Sequence, residues 1–187
     1  MVKVCVIGLG PIGHLHATLY KGDEMVELAG VCDIVPERAE RAGRRLGVRW
    51  FTDAPEMLRA LRPQIVSVAT GGYEYASDHA LPALQALEAG CHVLVEKPIS
   101  NELEPARAIV AKAREKRLCL GCDFNHRFTP VARQAKKWQE QGLIGDLLFC
   151  NMALWIGKFQ PLDSRYYHLK ALNPHSIDMM RYYCGEI

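Results

Sequence analysis

No stretch of this chain is apolar for anything near the roughly 18 residues that a membrane-spanning helix needs. Charge of one sign is equally scarce, because 23 Lys and Arg against 21 Asp and Glu leave a formal net charge of +2. So small and evenly spread a charge excludes nucleic acid and anionic membrane surfaces as expected partners. Internal repeats, low-complexity runs and composition-biased linkers are also missing. The seven cysteines are odd in number and fall mostly in apolar strand-like runs, which fits reduced core thiols and not a disulfide framework. Cys119 and Cys122 form a CxxC, but no second ligand pair follows at a zinc spacing. Core packing within a strand is the reading of that pair, and no metal is expected. The N-terminus passes straight into a β-branched run instead of a signal peptide, so a cytoplasmic location is expected. The 187 residues, 49% hydrophobic and 24% charged, are of ordinary globular composition, enough for one full domain and part of another.

The most informative stretch is Val2 to Ala17, VKVCVIGLGPIGHLHA. An apolar, β-branched run ends at Gly8-Leu9-Gly10-Pro11-Ile12-Gly13 and passes into a helical pattern. In a strand, glycine turn, helix unit, Gly8 permits the tight turn, Gly10 lets the backbone approach a pyrophosphate, and Gly13 lets helix and strand lie close. The helix start then offers N–H groups and a positive dipole end to phosphate. A second apolar run, Val26 to Cys32, ends at Asp33, about twenty residues beyond the last glycine, where an acceptor for ribose hydroxyls belongs. A methyltransferase-type nucleotide site would use the same acidic position, so this stretch leaves both open.

Further along, helices are expected at Pro36 to Leu46, from Asp53-Ala54-Pro55-Glu56 to about Leu61, and from Ser77 to Gly90 with Leu81, Leu84 and Leu87 inward. Another is expected from about Glu102 to Lys116. Strands are expected at Arg49 to Phe51, Gln64 to Ala69, Cys91 to Val95 and Leu118 to Cys122. Strands alternating with helices indicate a doubly wound parallel α/β sheet, whose ligands gather at the carboxyl ends of the strands. Thr70 therefore groups with Gly8 and Asp33, and His79, in the first turn of its helix, is a candidate for the same site, with a surface histidine the equal alternative. This Rossmann-like domain spans 1–123.

Residues 124–187 read as an incomplete α+β domain. Thr129-Pro130 caps a helix bearing Val131, Ala135 and Trp138, and Leu147 to Ile156 is the one clear strand. Gly157 to Leu172 resembles a substrate-side loop in composition. A last helix is capped by Asn173, starts at Pro174 and stops at Gly185. At 100° per residue His175, Asp178, Met179 and Tyr182 share one face and Ile177, Met180 and Cys184 the other, so the polar face is expected away from the core.

Lys97, in a Glu-Lys-Pro turn directly beyond a parallel strand, is placed to hydrogen-bond a substrate hydroxyl and favour its alkoxide. His175, in a helix's first turn, has its proton affinity lowered by the dipole, and Asp178 one turn on can orient it. GLGPIGHLHA, Asp33, VATGG, AGCHVLVEKPIS, NHRFTP and NPHSIDMMRYYCGE follow one another in the order and spacing of the Gfo/Idh/MocA oxidoreductases, which this chain resembles over essentially its whole length. The resemblance implies Lys97 as active-site lysine, His175 as proton-transferring histidine and Asp178 as its acid partner. It implies a dinucleotide site lined by Gly8, Gly10, Pro11, Ile12, Gly13, Asp33, Thr70, Glu96 and Lys97, and a candidate cis bond at Lys97-Pro98.

Two departures stand out. Ala171 replaces the Asp that inositol dehydrogenase-like members carry four residues before the histidine, and the Thr70 to His79 loop is long, with Gly71 where Pro is common. Asn125, His126 and Arg127 are substrate-binding candidates, as are Trp155, Lys158, Arg165 and His168. Members of the family continue into a large, mainly antiparallel sheet, so the chain reads as truncated, its 147–156 strand exposed and a homo-oligomer expected. The expected activity is hydride transfer between NAD, in preference to NADP, and a secondary alcohol of a sugar, cyclitol or polyol. The alternative is a member that binds dinucleotide or a partner without turnover.

Overall fold

The computed structural model describes residues 1–72, 77–154 and 168–187, without the side chains of His168 and Ala171. It divides into two compact units, Met1–Asp123 and Phe124–Ile187.

In the first unit six strands, β1 (Val2–Ile7), β2 (Val26–Cys32), β3 (Arg49–Phe51), β4 (Ile65–Val68), β5 (His92–Val95) and β6 (Leu120–Cys122), form one sheet in the order β3-β2-β1-β4-β5-β6. Every pairing is parallel. The order reverses between β1 and β4, the switch point at which such sheets open a ligand crevice.

Alternation along the strands sends Cys5 and Ile7 to one face and Val6 to the other. The first face packs on α3 (Ala54–Leu61), α4 (Ala80–Glu88) and α5 (Leu103–Lys116), through Met57, Leu87 and Ile109. The second packs on α1 (Pro11–Gly22) and α2 (Pro36–Leu46), through Ala17, Ala39 and Ala42. Val4, Val6, Val31, Val66, Val68 and Val95 are wholly inaccessible, as both-face burial of a parallel sheet requires. Helix ends follow local chemistry: Asp53 accepts from the Glu56 N–H at 2.6 Å, and Gly47 closes α2 in the left-handed region at φ 64°.

Three expectations in this unit change. Helix α4 begins at Ala80 instead of beside Ser77, where Asp78 Oδ1 takes the Ala80 N–H at 2.6 Å, and Leu81 in its first turn is 66% exposed. Strand β6 starts at Leu120, since Leu118 N–H is occupied with Ala113 in closing α5 and Cys119 N–H with the His92 ring. Cys119 is thereby exposed, so only Cys122 of the CxxC lies in the strand. The buried thiols are Cys5, Cys32 and Cys91, and burial raises the first two to about 12 and the third to about 11. They are inert core side chains.

The second unit has a 3-10 turn (Asn125–Phe128), α6 (Pro130–Glu140), a π-helical turn (His168–Leu172) and α7 (Pro174–Cys184). Thr129 caps α6, accepting from Ala132 N–H at 3.3 Å. Its inward face carries Ala132, while Val131 and Trp138 are exposed. Residues 147–154 form no strand. A strand persists by hydrogen-bonding a neighbour, and no strand is assigned among the described residues of this unit. Residues 155–156 of that expectation lie outside the described residues, as do Trp155, Lys158 and Arg165 and the side chain of His168. Asn173 supplies no cap: its backbone is already helical (φ −70°, ψ −14°), because the preceding turn runs into α7. No helix among the described residues is long and apolar enough to cross a membrane.

Candidate active site

The carboxyl edge of the sheet collects the nucleotide-site candidates of the first unit. Ladder bonds continue one residue past the strands, from Gly8 N–H to Cys32, Asp33 N–H to Phe51, Ala69 N–H to Ile7, and Glu96 N–H to Val68. They hold the ends of β1, β2, β4 and β5 in line.

The three glycines do separate work. Gly8 sits at φ +90°, and a Cβ there would lie 2.5 Å from Ala69 O and Thr70 N, so both conformation and the nearness of the β4 exit demand glycine. A Cβ on Gly13 would lie 1.8 Å from Gly8 O, which is the close approach of helix to strand. Around Gly10 nothing lies within 4 Å of a built Cβ. Gly10 therefore answers to no protein neighbour, and the open space beside it suits a pyrophosphate. Pro11 is the first helical residue, no side chain caps α1 and no acidic residue occupies its first turn, which leaves that turn's N–H groups and positive dipole end to an anion.

Asp33 is 6% exposed and closes on the glycine turn: Oδ2 accepts from Leu9 N–H at 2.7 Å and Oδ1 from Val35 N–H at 2.9 Å. Each oxygen keeps a second lone pair for a ribose hydroxyl. Thr70 donates its hydroxyl to Asp78 O at 3.2 Å. Glu96-Lys97-Pro98 leaves β5 on the same edge, with the Lys97-Pro98 bond cis as the resemblance implies.

Two histidines and an aspartate that tie this edge together were missed or misread in the sequence. His16, on α1, directs Nδ1 to Ser67 Oγ at 2.8 Å, and Nε2 to Asp123 Oδ2 at 3.2 Å and Glu96 Oε1 at 3.4 Å. Hydrogen bonds that the ring donates to Asp123 and Glu96 outweigh burial and raise it to about 9, which favours the imidazolium at neutral pH. Its position on α1, directly behind the glycine turn, was the available signal, but its partners are 51 and more residues away.

His79 is neither at the surface nor in the first turn; it precedes α4 at 2% exposure. Its ring nitrogens face Pro98 O at 2.6 Å and Thr70 O at 3.0 Å. Asp78 beside it accepts through Oδ2 from Ser100 Oγ at 3.0 Å and Asn101 N–H at 2.7 Å. The Asp78-His79 pair thus fastens the loop after β4 to the turn after β5.

In the second unit His175 stacks on His126, ring centroids 4.2 Å apart, with Phe124 edge-on at 6.1 Å. Asp178 is 7% exposed and gripped by Arg127, Nε to Oδ2 at 2.6 Å and a terminal nitrogen to Oδ1 at 2.5 Å. The face of α7 expected outward is therefore the buried one, with Asp178 and Met179 inside and Ile177 exposed. Arg127 as a substrate candidate is correspondingly committed to Asp178.

Sheet order, glycine turn and second-strand acid define a dinucleotide-binding Rossmann domain. Residues 2–124 match the model of an oxidoreductase family with an NAD-binding Rossmann fold, Gfo/Idh/MocA, and the chain belongs to that family. D-glucoside 3-dehydrogenase of Escherichia coli (strain K12) is 34% identical over 148 residues, 78% of this chain and 41% of that protein. Levoglucosan dehydrogenase of Pseudarthrobacter phenanthrenivorans is 30% identical over 99% of this chain and 52% of its own length. The crystal structure of scyllo-inositol dehydrogenase from Lactobacillus casei, with NAD(H) and scyllo-inositol bound, superposes with a TM-score of 0.71 at 29% identity, over 78% of this chain and 43% of that one. The chain spans about half the length of the curated relatives it matches.

Proposed function

We propose that this chain carries the nucleotide half of a nicotinamide-dependent dehydrogenase acting on a secondary alcohol of a sugar, cyclitol or related polyol. The observation that carries this reading is the glycine turn: Gly8 and Gly13 are required by the protein itself, whereas Gly10 borders open space at an uncapped helix start. The named activities of the relatives, on a glucoside, levoglucosan and an inositol, support the substrate class.

The α1 N-terminus would hold the pyrophosphate and Asp33 the adenosine ribose, whose hydroxyls donate to the carboxylate. A carboxylate there repels a 2′-phosphate, which favours NAD over NADP. Bound nicotinamide supplies the hydride donor or acceptor. Thr70, Glu96 and Lys97 line the carboxyl edge, and Lys97 steadies the substrate oxygen as it gains charge. His175 moves the hydroxyl proton, and Asn125 and His126 bind neighbouring hydroxyls. Asp178 serves through Arg127, holding α7 and so the start of the helix on which His175 lies. A cytoplasmic location belongs to this proposal, supported by the buried unpaired thiols. So does association with a second copy, supported by exposed Leu148 and Phe149.

A second reading, dinucleotide binding without turnover, is favoured by Asp178's commitment to Arg127, whose guanidinium grips both of its oxygens and draws the carboxylate away from a role beside His175. Oxidation of a polyol and sugar panel with NAD, by the gene product in its complete length, separates the two. Turnover supports the first, and NADH binding with no turnover on the panel supports the second.

A further inference from the structure

The Glu96-Lys97-Pro98 turn is anchored at both ends by buried histidines from different elements. At its entry Glu96 Oε2 accepts from Lys97 N–H at 3.1 Å, while Oε1 faces His16 Nε2 at 3.4 Å. The side chains of Glu96 and His16 are 12% and 9% exposed. At its exit His79 Nδ1 lies 2.6 Å from Pro98 O, and the same ring reaches Thr70 O at 3.0 Å with its other nitrogen. The ring nitrogens of both histidines are engaged with protein groups, which makes them unsuited to touching a ligand and well suited to holding what does.

A lysine has a long flexible stem, and a group acting on a transition state must be held to about 0.5 Å. One anchor would leave the turn able to pivot about it. Two anchors on opposite sides of Lys97 fix its Cα and the direction in which the stem leaves. His16 also belongs to α1, so helix start and lysine turn belong to one hydrogen-bonded body.

We propose that His16 and His79 are positioning residues for Lys97, the first holding the turn's entry through Glu96 and the second its exit through the Pro98 carbonyl. The proposal rests on Lys97 being the group that steadies the substrate oxygen.

The test is made on the full chain, with three readouts: hydrogen exchange of the Lys97 amide, the pH profile of Lys97 acylation by acetic anhydride, and NADH titration by fluorescence. His16→Gln keeps a donor toward the carboxylates but not the charge, and His79→Gln keeps a polar side chain but not the ring that reaches both carbonyls. Each is expected to speed Lys97 amide exchange at least tenfold and to displace the acylation profile, with exchange in β2 unchanged and NADH affinity within about threefold. In a Glu96→Gln background His16→Gln should add less than twofold, because the route through Glu96 is already cut. A merely structural role would speed exchange in β2 as well and show no such coupling.

Should a variant fail to fold, the wild-type chain still decides. The groups facing His16 are Glu96 and Asp123 from the ends of β5 and β6, and Tyr20 on α1 beside Ser67, raised by burial above its usual range. The two carboxylates raise the His16 ring to about 9. Lys97 exchange, corrected for its intrinsic rate, should rise as the His16 ring, followed by NMR, loses its proton, and exchange that stays constant through that titration overturns the proposal. Near-normal turnover by Lys97→Met would refute the functional reading of Lys97 and leave the exchange results standing. Unaltered exchange in folded variants refutes the anchoring whatever the turnover.

Discussion

In the 1–123 unit strand valines are wholly inaccessible and six strands hydrogen-bond in unbroken order. In the 124–187 unit Leu148 is 90% exposed, Phe149 83% and Val131 81%. The first unit contains every neighbour its strands need. Among its described residues the second unit is joined by the Arg127–Asp178 pair, by Gln139 Nε2 donating to Tyr183 O at 2.7 Å, and by the stacking of His126 on His175. Loss of the Arg127–Asp178 pair is expected to cost the second unit more than loss of a surface contact costs a sheet buried on both faces.

The largest expected effect follows from the proposed function. In protein that turns over, Lys97→Met and His175→Ala should each lower kcat by about two orders of magnitude or more, with NAD affinity within a few-fold, because such groups act mainly on the transition state. Steady-state kinetics with direct NADH titration checks this, and an unchanged kcat removes the role from that residue. Next is Gly13→Ala, which sets a Cβ 1.8 Å from Gly8 O. Overpacking against backbone should destabilise the first unit by about 3 kcal/mol in urea unfolding and abolish dinucleotide binding.

His16 gives a pH-dependent effect of similar size confined to the first unit. Its folded value, about 9, lies above the ordinary 6.5, so its stabilisation is complete below pH 6.5 and is lost as pH rises through about 9. The shift corresponds to about 3 kcal/mol. Urea midpoints measured from pH 6 to 10 should fall in wild type and stay flatter in His16→Gln. Smaller again, Arg127→Met leaves Asp178 buried without its partner. It should weaken the second unit by about 2 kcal/mol, since Arg127 is a third exposed, with first-unit exchange unaltered. Equal loosening of both units would break the contrast between them.

How much of this was legible in the sequence follows the same division. Val2 to Gly13 and Asp33 could be read because turn, helix start and second-strand acid are local signals with fixed spacing. The roles of His16 and His79 could not, because each ring's partners lie on other elements. His16 meets Ser67 and Asp123, and His79 meets Thr70 and Pro98; no periodicity pairs them. The 147–154 stretch has a strand's composition, yet a strand is a property of two segments and composition describes one. The inward face of α7 was inverted for the same reason: Asp178 reads as a surface carboxylate until Arg127, 51 residues earlier, is found holding it.

The central claim is that Gly10 and Asp33 border a dinucleotide site within the first unit, and calorimetric titration of the 187-residue chain tests it directly. NADH should bind, NADPH should bind at least tenfold more weakly, and Gly10→Val should weaken NADH at least tenfold while shifting the urea midpoint by less than about 0.5 kcal/mol equivalent, since no protein atom meets the added Cβ. NADPH binding more tightly than NADH, or Gly10→Val binding NADH as wild type does, would contradict the account.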